Sequence, residues 1–176
     1  MPSLERITTE NVRAFKTVRL WALSESPSAF GSTYAREAGF LESEWVTRAA
    51  KMNGETRIGY LAMEDGVACG IAAGFLDERD PTRAQLVSMW VAPSFRRTGV
   101  GGLLVDAIKS WARRIGVGTL QLMVTSSNQV ARQFYERNGF SMTGRTEPYP
   151  NDASLLEHEM SVSVSGDDTD VRNKRE

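Results

Sequence analysis

Val91-Ala92-Pro93-Ser94-Phe95-Arg96-Arg97-Thr98-Gly99-Val100-Gly101-Gly102 is the stretch that decides how this sequence folds. Residues 84–92 are rich in strand formers, and from Gly99 onward Leu103, Leu104, Ala107, Ile108 and Trp111 recur on one helical face until Arg113-Arg114 and Gly116. The quoted residues are therefore a strand-to-helix turn. Such a turn lines up unpaired backbone N–H groups at the positive end of a helix dipole, and its glycines let an anion approach the backbone closely. Arg96 and Arg97 flank it as two further phosphate partners. A dinucleotide fingerprint would need glycine at position 104, where Leu104 stands, and no Gly-Lys-Ser/Thr follows to make a P-loop. What is left is a pyrophosphate site of another kind, or an ordinary turn with a basic surface.

Outward from this turn the period of the apolar residues changes twice. Residues 57–64, 67–76 and 84–92 predict three consecutive antiparallel strands, separated by the hairpin signal Asp65-Gly66 and by Asp77-Glu78-Arg79-Asp80-Pro81. Ahead of them lie a short strand over 4–8 and a helix capped by Thr8 or Thr9. That helix carries Val12, Phe15, the stem of Arg19 and Leu23 on one face, and Ser24-Glu25-Ser26-Pro27-Ser28 stops it. After an aromatic-bearing loop over 29–34, Leu41, Trp45, Ala49 and Met52 form the stripe of a second helix that Asn53-Gly54 closes. Beyond the turn, residues 119–124 read as a buried strand. Asn128 opens a shorter helix with Val130, Ala131, Phe134 and Tyr135, and strands follow over 140–145 and 155–163. This is a single α+β domain on a mixed sheet over residues 1–165, followed by a polar tail over 166–176 expected to be disordered.

Composition narrows the function classes. The 176 residues carry 21 Lys+Arg against 22 Asp+Glu, a formal charge of −1, which speaks against a dedicated nucleic-acid binder. Hydrophobic residues at 41% and charged residues at 24% suffice for a globular core. Cys69 is the single cysteine and His158 the single histidine, so neither a disulfide nor a structural zinc site is expected, and no metal is called for. No apolar run nears the ~20 residues of a membrane span, and Met1-Pro2-Ser3-Leu4-Glu5-Arg6 lacks a signal-peptide layout. A cytoplasmic location without a membrane partner is the expectation.

The turn resembles the acetyl-CoA loop of the GNAT superfamily of N-acetyltransferases, Arg/Gln-x-x-Gly-x-Gly/Ala after a strand ending Val-x-Pro. Here these are Arg96-x-x-Gly99-x-Gly101 and Val91-Ala92-Pro93. A second block of that family, Asn-x-x-Ala-x-x-Phe-Tyr-x-x-x-Gly-Phe, is matched by Asn128, Ala131, Phe134, Tyr135, Gly139 and Phe140. Together the blocks cover about residues 85–140, and 148–160 resembles the family's closing hairpin. The resemblance implies a GNAT-like fold, a central mixed sheet of six or seven strands flanked by about four helices. It implies acetyl-CoA as co-substrate, with the pantetheine arm against the backbone of Met89, Trp90 and Val91. The pyrophosphate would lie on Arg96, Arg97, Thr98, Gly99, Val100 and Gly101, and Asn128 would bond the arm from the other wall. Tyr135, by its residue pattern a core tyrosine on an amphipathic helix, becomes by resemblance the acid that protonates the departing thiolate.

The acceptor side is less legible. An alkylamine with pKa near ~10 is about a thousandth neutral at pH 7, so a base or a water relay is needed. The strand Ala84-Gln85-Leu86-Val87-Ser88-Met89-Trp90 carries no carboxylate, although Gln85 and Ser88 could hold a water. Glu37, Glu42 and Glu44 are base candidates outweighed by the ordinary fate of such residues on a solvated helix face, and no base is named. His158 reads as packed and hydrogen-bonded, Cys69 as core filler, and Trp90 and Trp111 as core. Phe30 and Tyr34 either line the acceptor site or pack, and Tyr149 joins them as a substrate-contact candidate. The expected activity is acetyl-CoA-dependent acetylation of a primary amine, on a small molecule, by direct transfer. A protein N-terminal or lysine acetyltransferase and a non-catalytic acyl-CoA-binding module are the alternatives, and a homodimer is left open. Burial of Phe30, Tyr34 and Tyr149 would distinguish a closed pocket from an open groove.

Overall fold

Alternating strand formers in the middle of the chain pair with their sequence neighbours, because tight turns join them. In the computed structural model, which describes residues 2–165, β2 (Arg57–Glu64), β3 (Val67–Leu76) and β4 (Arg83–Val91) form an antiparallel meander. Asp65 and Gly66 both take positive φ, 50° and 76°, as a two-residue hairpin with the native twist requires. β1 (Ser3–Arg6) pairs antiparallel with β2 at one edge. On the other side β5 (Thr119–Thr125) runs parallel to β4, and the hairpin of β6 (Ser141–Tyr149) and β7 (Asp152–Ser163) completes the sheet in the order β1-β2-β3-β4-β5-β7-β6. Seven strands agree with the six or seven expected.

Five α-helices occur among the described residues, where about four were expected: α1 (Val12–Glu25), α2 (Tyr34–Ala38), α3 (Glu42–Ala50), α4 (Val100–Arg114) and α5 (Gln129–Arg137). The additional helix is α2, which lies at the end of the stretch read as a loop. It has five residues, too few for a period to show, and Thr33 caps it by accepting a hydrogen bond from Arg36 N–H. The polar tail over 166–176 lies outside the described residues.

β3 is buried on both faces from Ala68 to Gly74, so helices cover the sheet on both sides. α4 packs on the face of Gly70 and Gly74, with Leu104, Ile108 and Trp111 against them, and α5 lies beside α4. α1 packs across β3 and β4 on the opposite face, with α2 and α3 against it. The largest fully buried side chains, among them Trp45, Trp111, Phe15, Ile58, Leu61, Ile71, Leu104 and Leu120, join these layers into a single core.

Gly74 is where the sheet and α4 come closest. A Cβ there would stand 2.8 Å from the Trp111 ring and 3.1 Å from Ile108. We expect Gly74→Ala to destabilise the protein by about 1–3 kcal/mol, the usual cost of overpacking a tight core. Urea denaturation measures it, and an unchanged midpoint would mean that α4 is free to retreat.

Candidate functional site

The parallel ladder between β4 and β5 stops early. It runs Arg83↔Thr119, Ala84↔Leu120 and Gln85↔Gln121, although β4 continues to Val91 and β5 to Thr125. A bulge in β4 accompanies the break: Ile71 pairs with Trp90 and Ala73 with Val87, so Ala72 faces two residues, and Ser88 takes φ +57°. A bulge bends its strand, and here it leaves a wedge between β4 and β5 whose two lips carry backbone N–H and C=O groups outside any ladder. Gln85 closes the narrow end. Its amide donates to Gln121 (2.9 Å) and Asp77 (3.1 Å), so it is held at the last rung with both amide protons used. Met89, Trp90 and Val91 lie on the open part of β4, with the Trp90 ring in the core as expected.

The chain then passes through the 3₁₀ turn Pro93–Phe95 into α4. Arg97 and Gly99 both take left-handed backbone, φ 64° and 94°, with Thr98 between them donating its hydroxyl to the Phe95 carbonyl. Among the described residues no hydrogen bond uses the N–H groups of Arg97 through Gly102, so six successive donors are available at the start of a fifteen-residue helix. At Gly99 a Cβ would meet nothing within 4 Å, leaving open space over the loop for an anion. Gly101 is glycine for another reason: a Cβ there would stand 2.9 Å from the Phe134 ring, so its smallness lets α4 and α5 meet. These residues fit a pyrophosphate.

Arg96 is engaged elsewhere. Its Nε donates to the Val91 carbonyl (2.9 Å) and its Nη2 to Glu25 Oε2 (2.7 Å), which also accepts from Trp90 Nε1 (2.8 Å). With these two bonds the Arg96 side chain, expected to meet phosphate, braces the end of β4, and Arg97 is exposed over the loop without an ion pair among the described residues. Burial raises the pKa of Glu25, but hydrogen bonds from Arg96, Ser26 and Trp90 outweigh it and hold the carboxyl at about 2. The sequence reading missed Glu25. The available signal was an acidic residue in the last turn of a helix with no basic one beside it, a placement the dipole disfavours unless donors compensate.

The other wall is α5. Asn128 caps it, its Oδ1 accepting from Ala131 N–H (3.1 Å), which leaves both Nδ2 protons for another acceptor. Tyr135 is buried between Phe134 and Phe140 in edge-on contacts of 5.3 and 5.8 Å. Burial pushes its phenol above the ordinary value, and its hydroxyl makes no hydrogen bond among the described residues. The geometry of Tyr135 suits a buried proton donor.

The expected acceptor wall divides. Phe30 and Tyr149 are each only 4% exposed, whereas Tyr34 is 49% exposed. The Tyr149 hydroxyl donates to the Phe30 carbonyl (2.6 Å) and the Asn151 amide donates there as well (3.0 Å), tying the β6–β7 turn to the loop after α1. The Tyr149 hydroxyl and the Phe30 carbonyl thus form a tie between the two segments. Glu37 was expected on a solvated helix face, yet it is 2% exposed because Arg19 reaches it: Arg19 Nε donates to Oε2 (2.8 Å), and Arg48 Nη2 lies 2.9 Å from Oε1. The whole Arg19 side chain is buried, not only its stem, and its Nη1 donates to Ser88 Oγ (3.2 Å). Glu44 accepts from Leu41 N–H at the start of α3, and Glu42 pairs with Lys16 at the surface. His158, expected to be hydrogen-bonded, is half-buried with no side-chain hydrogen bond among the described residues, and Cys69 is buried as expected. No three His, Cys, Asp or Glu side chains among the described residues are placed to hold a metal ion, and no helix there is long and apolar enough to cross a membrane.

The acetyltransferase (GNAT) family model matches residues 16–140. An uncharacterized N-acetyltransferase of Bacillus subtilis is 26% identical over 133 residues, 74% of this chain and 89% of the relative. L-ornithine N5-acetyltransferase of Arabidopsis thaliana is 27% identical over 139 residues, 75% of this chain and 61% of the relative. Streptothricin acetyltransferase of Streptomyces lavendulae is 35% identical over 83 residues, 47% of this chain and 44% of the relative. In structure, an acetyltransferase of the GNAT family from Streptococcus pneumoniae superposes with a TM-score of 0.78 at 20% identity, covering 94% of this chain and 100% of its own. An acetyltransferase from Salmonella typhimurium, solved with its cofactor acetyl-CoA, superposes with a TM-score of 0.76 at 14% identity over 94% of this chain and 95% of its own. These likenesses show the fold.

The Glu25 clamp has a pH signature. Its carboxyl lies at about 2 in the folded chain against an ordinary 4.5, so the contribution is complete above about pH 4.5 and is lost as pH falls through about 2. Glu25→Gln should therefore lower stability at pH 7, and the gap to the parent should narrow between pH 4.5 and 3. Denaturation curves across that range test this, and a gap independent of pH would remove the ion pair from the account.

Proposed function

The chain belongs to the acetyltransferase (GNAT) family, and from that premise we propose that it acetylates the primary amine of a small molecule by direct transfer from acetyl-CoA. The observation that carries the reading is the wedge between β4 and β5 with six unpaired N–H groups at its wide end. A long ligand with amides along its arm and a pyrophosphate at one end needs those two features in that order. Acetyl-CoA supplies the acetyl group as a thioester. The N–H groups of Arg97 to Gly102 hold the pyrophosphate with Arg97 as its cation, and the backbone of Met89, Trp90 and Val91 with the Asn128 amide lines the arm. Tyr135 keeps its proton through the working pH range because burial raises its pKa, and it donates that proton to the leaving sulfur.

The acceptor amine must shed a proton to attack. Both Glu37 oxygens already accept from guanidinium groups, so water held at Ser88 and at backbone carbonyls takes that role. Holding amine and thioester together supplies most of the acceleration, with effective molarities of roughly 10⁵ M or more. Two observations support a small acceptor over a protein tail. Phe30 and Tyr149 are buried, although Tyr34 is 49% exposed, and the names of the relatives above specify ornithine and streptothricin. Acetyl-CoA is a metabolite of the cell interior, so the reading includes a cytoplasmic location.

Two variants test the assignment. Gly99→Val places a branched side chain where backbone φ is +94° and over the open space of the loop, and it should abolish acetyl-CoA binding in calorimetry while circular dichroism stays native. Unchanged affinity in a folded Gly99→Val protein would sink the pyrophosphate assignment. Tyr135→Phe should keep acetyl-CoA affinity and lower kcat by roughly 10²-fold or more, measured as CoA release with an amine found by screening. If the loss appeared as a lower Tm with normal turnover per folded molecule, Tyr135 would be structural.

A further inference from the structure

Beside the bulge, on the α1 face of the sheet, lies a cavity of about 280 Å³ lined by Arg19, Ser32, Arg36, Glu37, Phe40 and Arg48. Three guanidinium groups face a single carboxylate. Glu37 is saturated by Arg19 and Arg48, and Arg36 has no ion pair among the described residues. One nitrogen of Arg48, Nη1, is buried without any hydrogen-bond partner. The Arg48 guanidinium packs over the Phe15, Phe40 and Trp45 rings, and the excess of three guanidinium groups over one carboxylate around the cavity is what an oxyanion would satisfy. Burial lowers the pKa of Arg48; Glu37 opposes this, and the neighbouring charges of Arg19 and Arg36 lower it further, so the cavity's cations repel one another with only Glu37 between them.

The cavity and the bulge share one side chain. Arg19 spans them, donating from Nε to Glu37 and from Nη1 to Ser88 Oγ at 3.2 Å. Ser88 is the residue with φ +57° in the β4 bulge beyond the last β4–β5 rung at Gln85, so one arginine side chain joins the cavity to the strand that lines the wedge. We propose that this arginine-lined cavity binds a carboxylate carried by the acceptor, which makes the acceptor an amino acid or a similarly short amine with a free acid group. The proposal rests on the transfer reading above for where the amine reacts, and on the cavity alone for what it binds.

Arg36 separates the two readings, since it is exposed and belongs to neither the acetyl-CoA loop nor the wedge. The probes are the protein L-amino acids and their matching primary amides, offered singly, with CoA release read as turnover and calorimetry in the presence of CoA read as binding. The expected result is that at least one free acid binds and reacts tenfold or more better than its amide. Arg36→Gln should then raise KM for that acid by tenfold or more, the scale of a charge-assisted hydrogen bond, while KM for acetyl-CoA stays unchanged and the acid-to-amide preference collapses. Arg48→Lys keeps the charge but removes the fork, and it should give a smaller change in the same direction. Amides that react as well as acids, an acid preference that survives Arg36→Gln, or no acid that binds would each overturn the carboxylate site. Arg36-dependent binding of an acid without CoA release would instead leave this proposal standing and overturn the transfer reading.

Discussion

Everything that makes this molecule more than a covered sheet depends on β4 leaving β5 after Gln85. The separation costs ladder hydrogen bonds and places Ser88, a residue with a Cβ, in left-handed backbone at a cost of about 1–2 kcal/mol. The surroundings over-determine the bend. β4 stays paired with β3 on its other edge, Gln85 and Gln121 lock the narrow end, and Arg19 holds the Ser88 hydroxyl from α1. Exposed peptide groups are tolerated along the wedge because water or a ligand can satisfy them, which is why the open ladder lies at the mouth of a site and not in the core.

Two carboxylates near the end of α1 and in α2 organise the charge around that wedge. Glu25 draws Arg96 back onto the end of β4 and anchors the Trp90 indole, so the strand and the loop after it share one fixed point. Glu37 gathers Arg19 and Arg48, drawing cations into a region that a helix stripe would otherwise fill with apolar groups. A formal charge of −1 for the chain therefore conceals strongly positive ground at the loop and at the cavity. Net charge constrains solubility and broad partner class, while local fields decide ligands.

How much of this was legible from the sequence follows from the range of each signal. Strand and helix periods, the Asp65-Gly66 hairpin and the strand–turn–helix of residues 91–102 are short-range consequences of backbone geometry, and they stand in the structure within a few residues of where they were read. β6 was read as shorter than it is, because Gly144 at φ 90° breaks the pleat and shifts its register between Met142 and Thr146. Pro148 lies within β6 without harm, since β6 is an edge strand of the sheet.

The sequence by itself determined the order of every element but α2, the strand-to-helix turn and the family to which the chain belongs, since each rests on residues close in the chain whose φ/ψ and apolar period are locally set. Only the tertiary structure decided which side chains meet. Glu25 and Arg96 are 71 residues apart, Arg19 and Ser88 are 69, and Tyr149 and the Phe30 carbonyl are 119. Gly101 is small because Phe134 of another helix arrives there, and Glu37 is buried because α1 delivers Arg19 to it. Nothing local distinguishes a solvated glutamate from one enclosed by arginines, for the free energy that separates them appears only once the helices have docked and water has been removed.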